Sequence, residues 1–189
     1  MRRLKKRLRP RLLGAYALAG VLLWSARPDV VSMLIGLCVI AVGEGLRLWA
    51  TGYLHKTESL TVAGPYAHLR HPLYLGTLLI GTGLAIMAKT PLGFFVWAIF
   101  VVGYFAYYMP YKNRIEGARL EELFGDDFRR YAAAVPRLVP RLYPYVPLGG
   151  YKQEAAHWRG VRFDDNNETG VALSVLVGVA AVFVRWLLL

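Results

Sequence analysis

Eleven residues, "GPYAHLRHPLY" at positions 64–74, gather two histidines, one arginine, two prolines and two tyrosines between two long apolar runs. Pro72 suits the first turn of a helix, where its missing N–H would be unpaired anyway and its φ is already helical. The free N–H groups of such a helix start, pointing back at the loop from Gly64 onward, favour a carboxylate or phosphate. Arg70 adds a planar fork of donors. His71 stands just outside the helix, and Tyr66 and Tyr74 offer ring faces to a cationic group. The same residue types also make a plain interfacial cap on a membrane helix, so the stretch alone leaves both readings open.

Two further groups carry charge where charge is costly or directed. Glu44 and Arg47 lie three apart, hence on one helical face, inside an apolar run. An ionisable pair at membrane depth must be paired or must face a wet cavity. They read either as a lock between helices or as a wall that touches a polar ligand group. Arg114 and Glu116, in "RIEG", open a polar stretch after the fourth apolar run, where the helix dipole favours a carboxylate. No cluster has metal-ligand spacing. The lone Cys38 lies within an apolar run and reads as a small core residue.

The elements that must position these residues are apolar. The chain of 189 residues is 56% apolar, which makes an integral membrane protein the first expectation. Five spans are expected, at about 11–26, Val30 to Leu54, Pro72 to Ala88, Leu92 to Met109 and Gly170 to Leu188, joined in part by the tight turns "RPD" and "KTP". The net charge of +11 is concentrated in a basic arm, "MRRLKKRLRPR", and in the segment after the fourth span. That distribution fits membrane topology, not nucleic-acid binding. It places the N-terminus, the 55–71 loop and the 110–168 segment in the cytoplasm, and the C-terminus on the opposite side. In that segment, Leu120, Phe124, Phe128 and Tyr131 fall on one helical face, so an amphipathic cytoplasmic helix is expected between the fourth and fifth spans. Gly125-Asp126 reads as a stop followed by a new start. The glycines at 43, 45, 81 and 83 are expected to allow close helix packing.

"GPYAHLRHPLYLG", one helical hairpin, and then "RIEGARLEELFGDDFRRYAAAVPRLVP" together resemble the superfamily of isoprenylcysteine carboxyl methyltransferases and phospholipid methyltransferases. The resemblance covers about residues 44–141, flanked by the basic arm (1–10), a cytoplasmic linker (142–169) and the last span (170–189). It implies an integral membrane enzyme that binds S-adenosylmethionine at Gly64, Tyr66, Arg70, His71, Pro72, Tyr74 and Glu116. In this family a second acidic residue follows the first, and here that position is Gly117; Glu44 is the candidate replacement. The expected reaction is methyl transfer to a membrane-resident or hydrophobic small acceptor. Arg47 or Arg114 would orient a carboxylate acceptor, and His71 would serve as base for an amine or thiol. Two alternatives are a nicotinamide-dependent membrane reductase related to sterol reductases, and a non-catalytic binding protein with a degenerated site.

Overall fold

The computed structural model describes residues 10–54, 59–147, 158–160 and 168–189, with side chains from Leu18 onward. The basic arm up to residue 9 and most of the expected 142–169 linker lie outside the described residues. Every regular element described is helical: α1 (Pro10–Ser25), α2 (Val30–Tyr53), a single 3-10 turn (Gly64–Ala67), α3 (Pro72–Ala88), α4 (Pro91–Gly103), a π-helical turn (Tyr104–Tyr108), α5 (Met109–Ala134) and α6 (Glu168–Leu187). Among the described residues, three stretches are long and apolar enough to cross a membrane: α2, the stretch from Pro91 to Ala134 and α6. α3 is apolar but has 17 residues.

Local chemistry sets most boundaries. Asp29 caps α2 by accepting from the Ser32 N–H at 2.7 Å, while the Asp29 N–H donates to Ser32 Oγ at 3.0 Å. This reciprocal pair satisfies two donors at the helix start. Pro72 and Pro91 each open a helix, and α3 ends on Lys89 in a left-handed conformation. The two turns meet: the Arg27 N–H donates to the Ala88 carbonyl at 3.0 Å, and Lys89 pairs with Asp29. The Asp29 carboxyl is held down at about 2, first by the Lys89 hydrogen bond and then by the Ser32 N–H.

α2 and α3 run antiparallel at very short range. A Cβ on Gly36 would stand 2.6 Å from the Gly83 carbonyl oxygen, and one on Gly43 would stand 2.8 Å from that of Gly76. Small residues permit this approach, which supplies dispersion contact where apolar burial drives little. Gly43 and Gly83 thus act as expected. Gly45 touches nothing within 4 Å of its Cβ position, and Gly81 packs under the Trp97 ring. α6 joins the pair through Val182, which packs with Met33, Ile40 and Met87.

The helix of the fourth span does not stop at Met109. It continues into α5 through the π turn, in which the Met109 N–H donates to the Tyr104 carbonyl five residues back. Pro110 explains the shift, because it has no N–H and its ring clashes with the carbonyl four residues earlier. Gly125 interrupts α5 at φ 51°, ψ −124°, a backbone that glycine adopts without penalty. Beyond it, Phe128 and Tyr131 are buried with Leu60, Val62 and Val135, and Leu120 and Phe124 pack on the same cluster.

Candidate functional site at the start of helix α3

The 64–71 loop is shaped by glycine and proline and then backed by a later strand of chain. Gly64 has φ +57°, and a Cβ there would come within 2.6 Å of the Tyr53 ring. Tyr66 is buried, and its carbonyl accepts from the Tyr131 hydroxyl at 2.8 Å. Burial raises the Tyr66 phenol well above its ordinary value, so it stays neutral. Behind the loop, the Arg70 N–H donates to the Pro136 carbonyl at 2.9 Å and the His71 N–H to that of Arg137 at 3.0 Å. The Arg141 N–H returns a bond to the His68 carbonyl at 3.0 Å, and the Tyr145 N–H one to Ala67 at 2.9 Å.

These bonds revise the expectation of a helix start free to hold an anion. Pro72 has no N–H, and the Tyr74 and Leu75 N–H groups both donate to the His71 carbonyl at 3.2 Å. The Leu73 N–H takes no part in these bonds, so one backbone donor and the side chains are left to meet a ligand.

The His71 ring stacks on Tyr74, with centroids 5.1 Å apart and planes at 17°. The Tyr74 hydroxyl donates to Glu116, 3.1 Å from Oε1 and 3.3 Å from Oε2. The two motifs that sequence separates by forty residues are therefore in direct contact. Glu116 is also 3.4 Å from Lys112. Tyr104 and Tyr108, presented by the π turn, lie edge-on to Tyr74 at 6.2 and 6.3 Å. Burial lowers the pKa of His71, and the charges of Arg70 and Arg137 add to it, against a hydrogen bond donated to Asn113 and the charge of Glu116. The imidazole is thus neutral near pH 7. Burial, then the charge of Arg137, also lowers the pKa of Arg70.

Around this core, buried polar atoms lack partners among the described residues: Arg70 Nε, Asn113 Nδ2 and Tyr104 Oη. Tyr104 is only 7% exposed. Unsatisfied buried groups are costly, and their gathering beside one stacked His–Tyr pair fits a ligand with both polar and aromatic-facing parts. Asn113 and the π-turn tyrosines were not singled out from sequence. The signal was present in "YFAYYMPYKN", an aromatic run ended by a proline.

The remaining expected residues are placed differently. Arg114 is exposed, and its neighbour Asn113 is the one that engages His71. Arg47 does not pair with Glu44. Its Nε and Nη2 bond Glu168 at 2.6 to 3.1 Å, and its Nη1 bonds the Leu73 carbonyl at 3.1 Å and Thr77 Oγ1 at 2.6 Å. All its nitrogens are committed to protein groups. Glu44 sits within the field of Arg47 and Glu168, with Oε1 buried and unpartnered. Glu168, the first residue of α6, was missed; its signal was an acid just ahead of the last apolar run.

The described residues form an all-helical bundle with three apolar stretches long enough to cross a membrane, the build of an integral membrane protein. The phospholipid methyltransferase family matches residues 30–127, more than half of the chain, and the chain belongs to that family. It is 31% identical over 117 residues to protein-S-isoprenylcysteine O-methyltransferase B of Arabidopsis thaliana, covering 56% of this chain and 57% of the relative. It is 30% identical over 142 residues to the cobalt-zinc-cadmium resistance protein CzcN of Cupriavidus metallidurans, covering 71% of this chain and 63% of the relative. It is 32% identical over 121 residues to the nickel-cobalt-cadmium resistance protein NccN of Alcaligenes xylosoxydans xylosoxydans, covering 63% of this chain and 53% of the relative. The chain thus spans between about half and just under two thirds of the length of these relatives. No solved structure matches it.

Proposed function

We propose that the protein is an S-adenosylmethionine-dependent methyltransferase acting on a membrane-resident or hydrophobic small acceptor at the cytoplasmic membrane face. The observation that carries this reading is the Tyr74–Glu116 hydrogen bond, which joins the 64–74 loop to α5 beside a stacked His71. When bound, the cofactor supplies an electrophilic methyl on a sulfonium, which leaves as a neutral thioether once the acceptor has taken the methyl group. Glu116 would hold the cofactor's ammonium, Arg70 and Asn113 its carboxylate, and the faces of Tyr74 and Tyr108 the sulfonium. The pinned loop would fix the line of attack, since in-line displacement depends on orientation more than on acid–base chemistry. A carboxylate acceptor, as the isoprenylcysteine relatives' names suggest, needs no proton removed. For an amine or thiol acceptor, neutral His71 can take the proton at a ring nitrogen.

The test uses the full chain in lipid nanodiscs and titrates S-adenosylhomocysteine by calorimetry. Binding is expected for the parent chain and is lost in His71→Ala and Glu116→Ala variants that keep the parent's helical spectrum. Binding untouched by both changes would refute the site. Binding of NADPH in its place would favour a reductase, and binding of neither a non-catalytic protein.

A further inference from the structure

Residues 135–147 carry prolines at 136, 140, 144 and 147 and leave the helical pattern at Val135. Their inner side is fixed. Their backbone exchanges four hydrogen bonds with residues 67–71, Val135 is buried, and the Tyr145 ring lies 5.5 Å from Tyr131. Leu138 packs against the cluster of Leu78, Tyr104 and Met109. Their outer side is apolar and bare: Val139, Leu142, Tyr143 and Val146 are between 73 and 91% exposed. Four large apolar side chains in eight residues make a patch that soluble surfaces rarely present.

The level of the patch identifies what covers it. Leu138 meets the bundle where α4 passes through the π turn into α5, and there Tyr107, Tyr108 and Tyr111 are exposed. The Tyr107 and Tyr111 rings stack at 6.2 Å with planes 3° apart. Exposed tyrosines at the end of a long apolar helix mark the boundary between hydrocarbon and headgroups. The segment therefore continues the membrane-facing surface at headgroup depth. Arg137 and Arg141 are interleaved with its apolar residues, which suits phosphate headgroups.

We propose that Val139, Leu142, Tyr143 and Val146 insert into the lipid interface at the site's end of the bundle. The segment then has two faces, one holding the 67–71 loop by its backbone and one resting in lipid. The height of His71 above the bilayer is set by this contact, so an acceptor with a buried tail would present its head at a fixed distance. The proposal rests on the membrane reading of the fold and not on the reaction.

The test places a nitroxide at Leu142→Cys or Val146→Cys in the full chain carrying Cys38→Ser, in nanodiscs of phosphatidylcholine and phosphatidylglycerol. Collision rates with oxygen and with a neutral nickel chelate are compared with those of a label at Glu122→Cys, an exposed position on α5. Labels at 142 and 146 are expected to favour oxygen over the chelate several-fold more than the label at 122 does. Chelate access equal to that at 122 would overturn the proposal. So would exclusion of both reagents, which would mean that protein covers the patch.

Discussion

Removing Glu168 strips the Arg47 guanidinium of its carboxylate while leaving the charge inside the bundle. The two residues are 8 and 5% exposed, and three of the five hydrogen bonds made by Arg47 go to Glu168. Breaking a buried pair by losing one partner costs about 3–5 kcal/mol, because an uncompensated charge remains. Glu168→Leu and Arg47→Met should each lower stability by that order, against about 1 kcal/mol for Thr77→Ala, which takes away one bond. The double variant, Arg47→Met with Glu168→Leu, should recover most of the loss, since apolar side chains of similar volume avoid both desolvation penalties. The coupling in this double-mutant cycle is expected at about 3 kcal/mol or more, at or above the top of the usual range for groups in one network. Equilibrium unfolding of the full chain in mixed micelles, followed by far-ultraviolet circular dichroism, measures it. Single variants that each cost under about 1 kcal/mol, or a double variant equal to the sum of the singles, would refute the clamp.

Gly64→Ala should lower stability by about 1–3 kcal/mol, because alanine resists φ +57° and its Cβ meets the Tyr53 ring; a melting temperature unchanged from the parent would contradict this. His71 is held neutral by burial, with its pKa below the ordinary 6.5, so the unfolded chain binds the extra proton first as pH falls. Its contribution is fully present above pH 6.5 and is lost below it; the parent should therefore lose more melting temperature than His71→Gln between pH 7.5 and about 5.5, and parallel losses would sink the assignment. A Cβ at Gly117 would meet nothing within 4 Å, so a carboxylate can be carried there, and Gly117→Glu should tighten S-adenosylhomocysteine binding in a calorimetric titration if the ligand's ammonium lies at Glu116. Gly117→Ala separates that gain from the helix propensity of about 1 kcal/mol that any replacement of glycine brings, and equal binding by both variants would show that a second acid is not what the ligand lacks.

How much of this was legible depends on how far each interaction reaches along the chain. Asp29, Pro72, Lys89 and Pro91 set their boundaries through neighbours within a few residues, so α2 and α3 begin and end where their sequences say. The Arg47–Glu168 pair spans 121 residues, and helical spacing offered Glu44 as a nearer but mistaken partner. The π turn was invisible to apolar periodicity, because Pro110 moves a hydrogen bond by one residue without changing which side chains are apolar. Gly36 and Gly76 were overlooked because close approach is a property of two helices together, whereas Gly45, two residues past Gly43 and so on the far face of the helix, looked the same in sequence.

The first turn of α3 is held from three directions. Arg47, itself fixed by α6, bonds the Leu73 carbonyl; Glu116 on α5 takes the Tyr74 hydroxyl; and the carbonyls of Pro136 and Arg137 take the N–H groups of Arg70 and His71. Fixing the turn this way consumes the Arg70, His71, Tyr74 and Leu75 N–H groups, most of the backbone donors that would otherwise make it an anion site. In the proposed site anion recognition would pass to the Arg70 and Asn113 side chains, whose donors at Nε and Nδ2 are buried and have no partner among the described residues. Rigidity is gained in the backbone and unsatisfied polarity is left in the side chains, and that combination favours a ligand that completes the hydrogen bonding over one that must reorganise the loop.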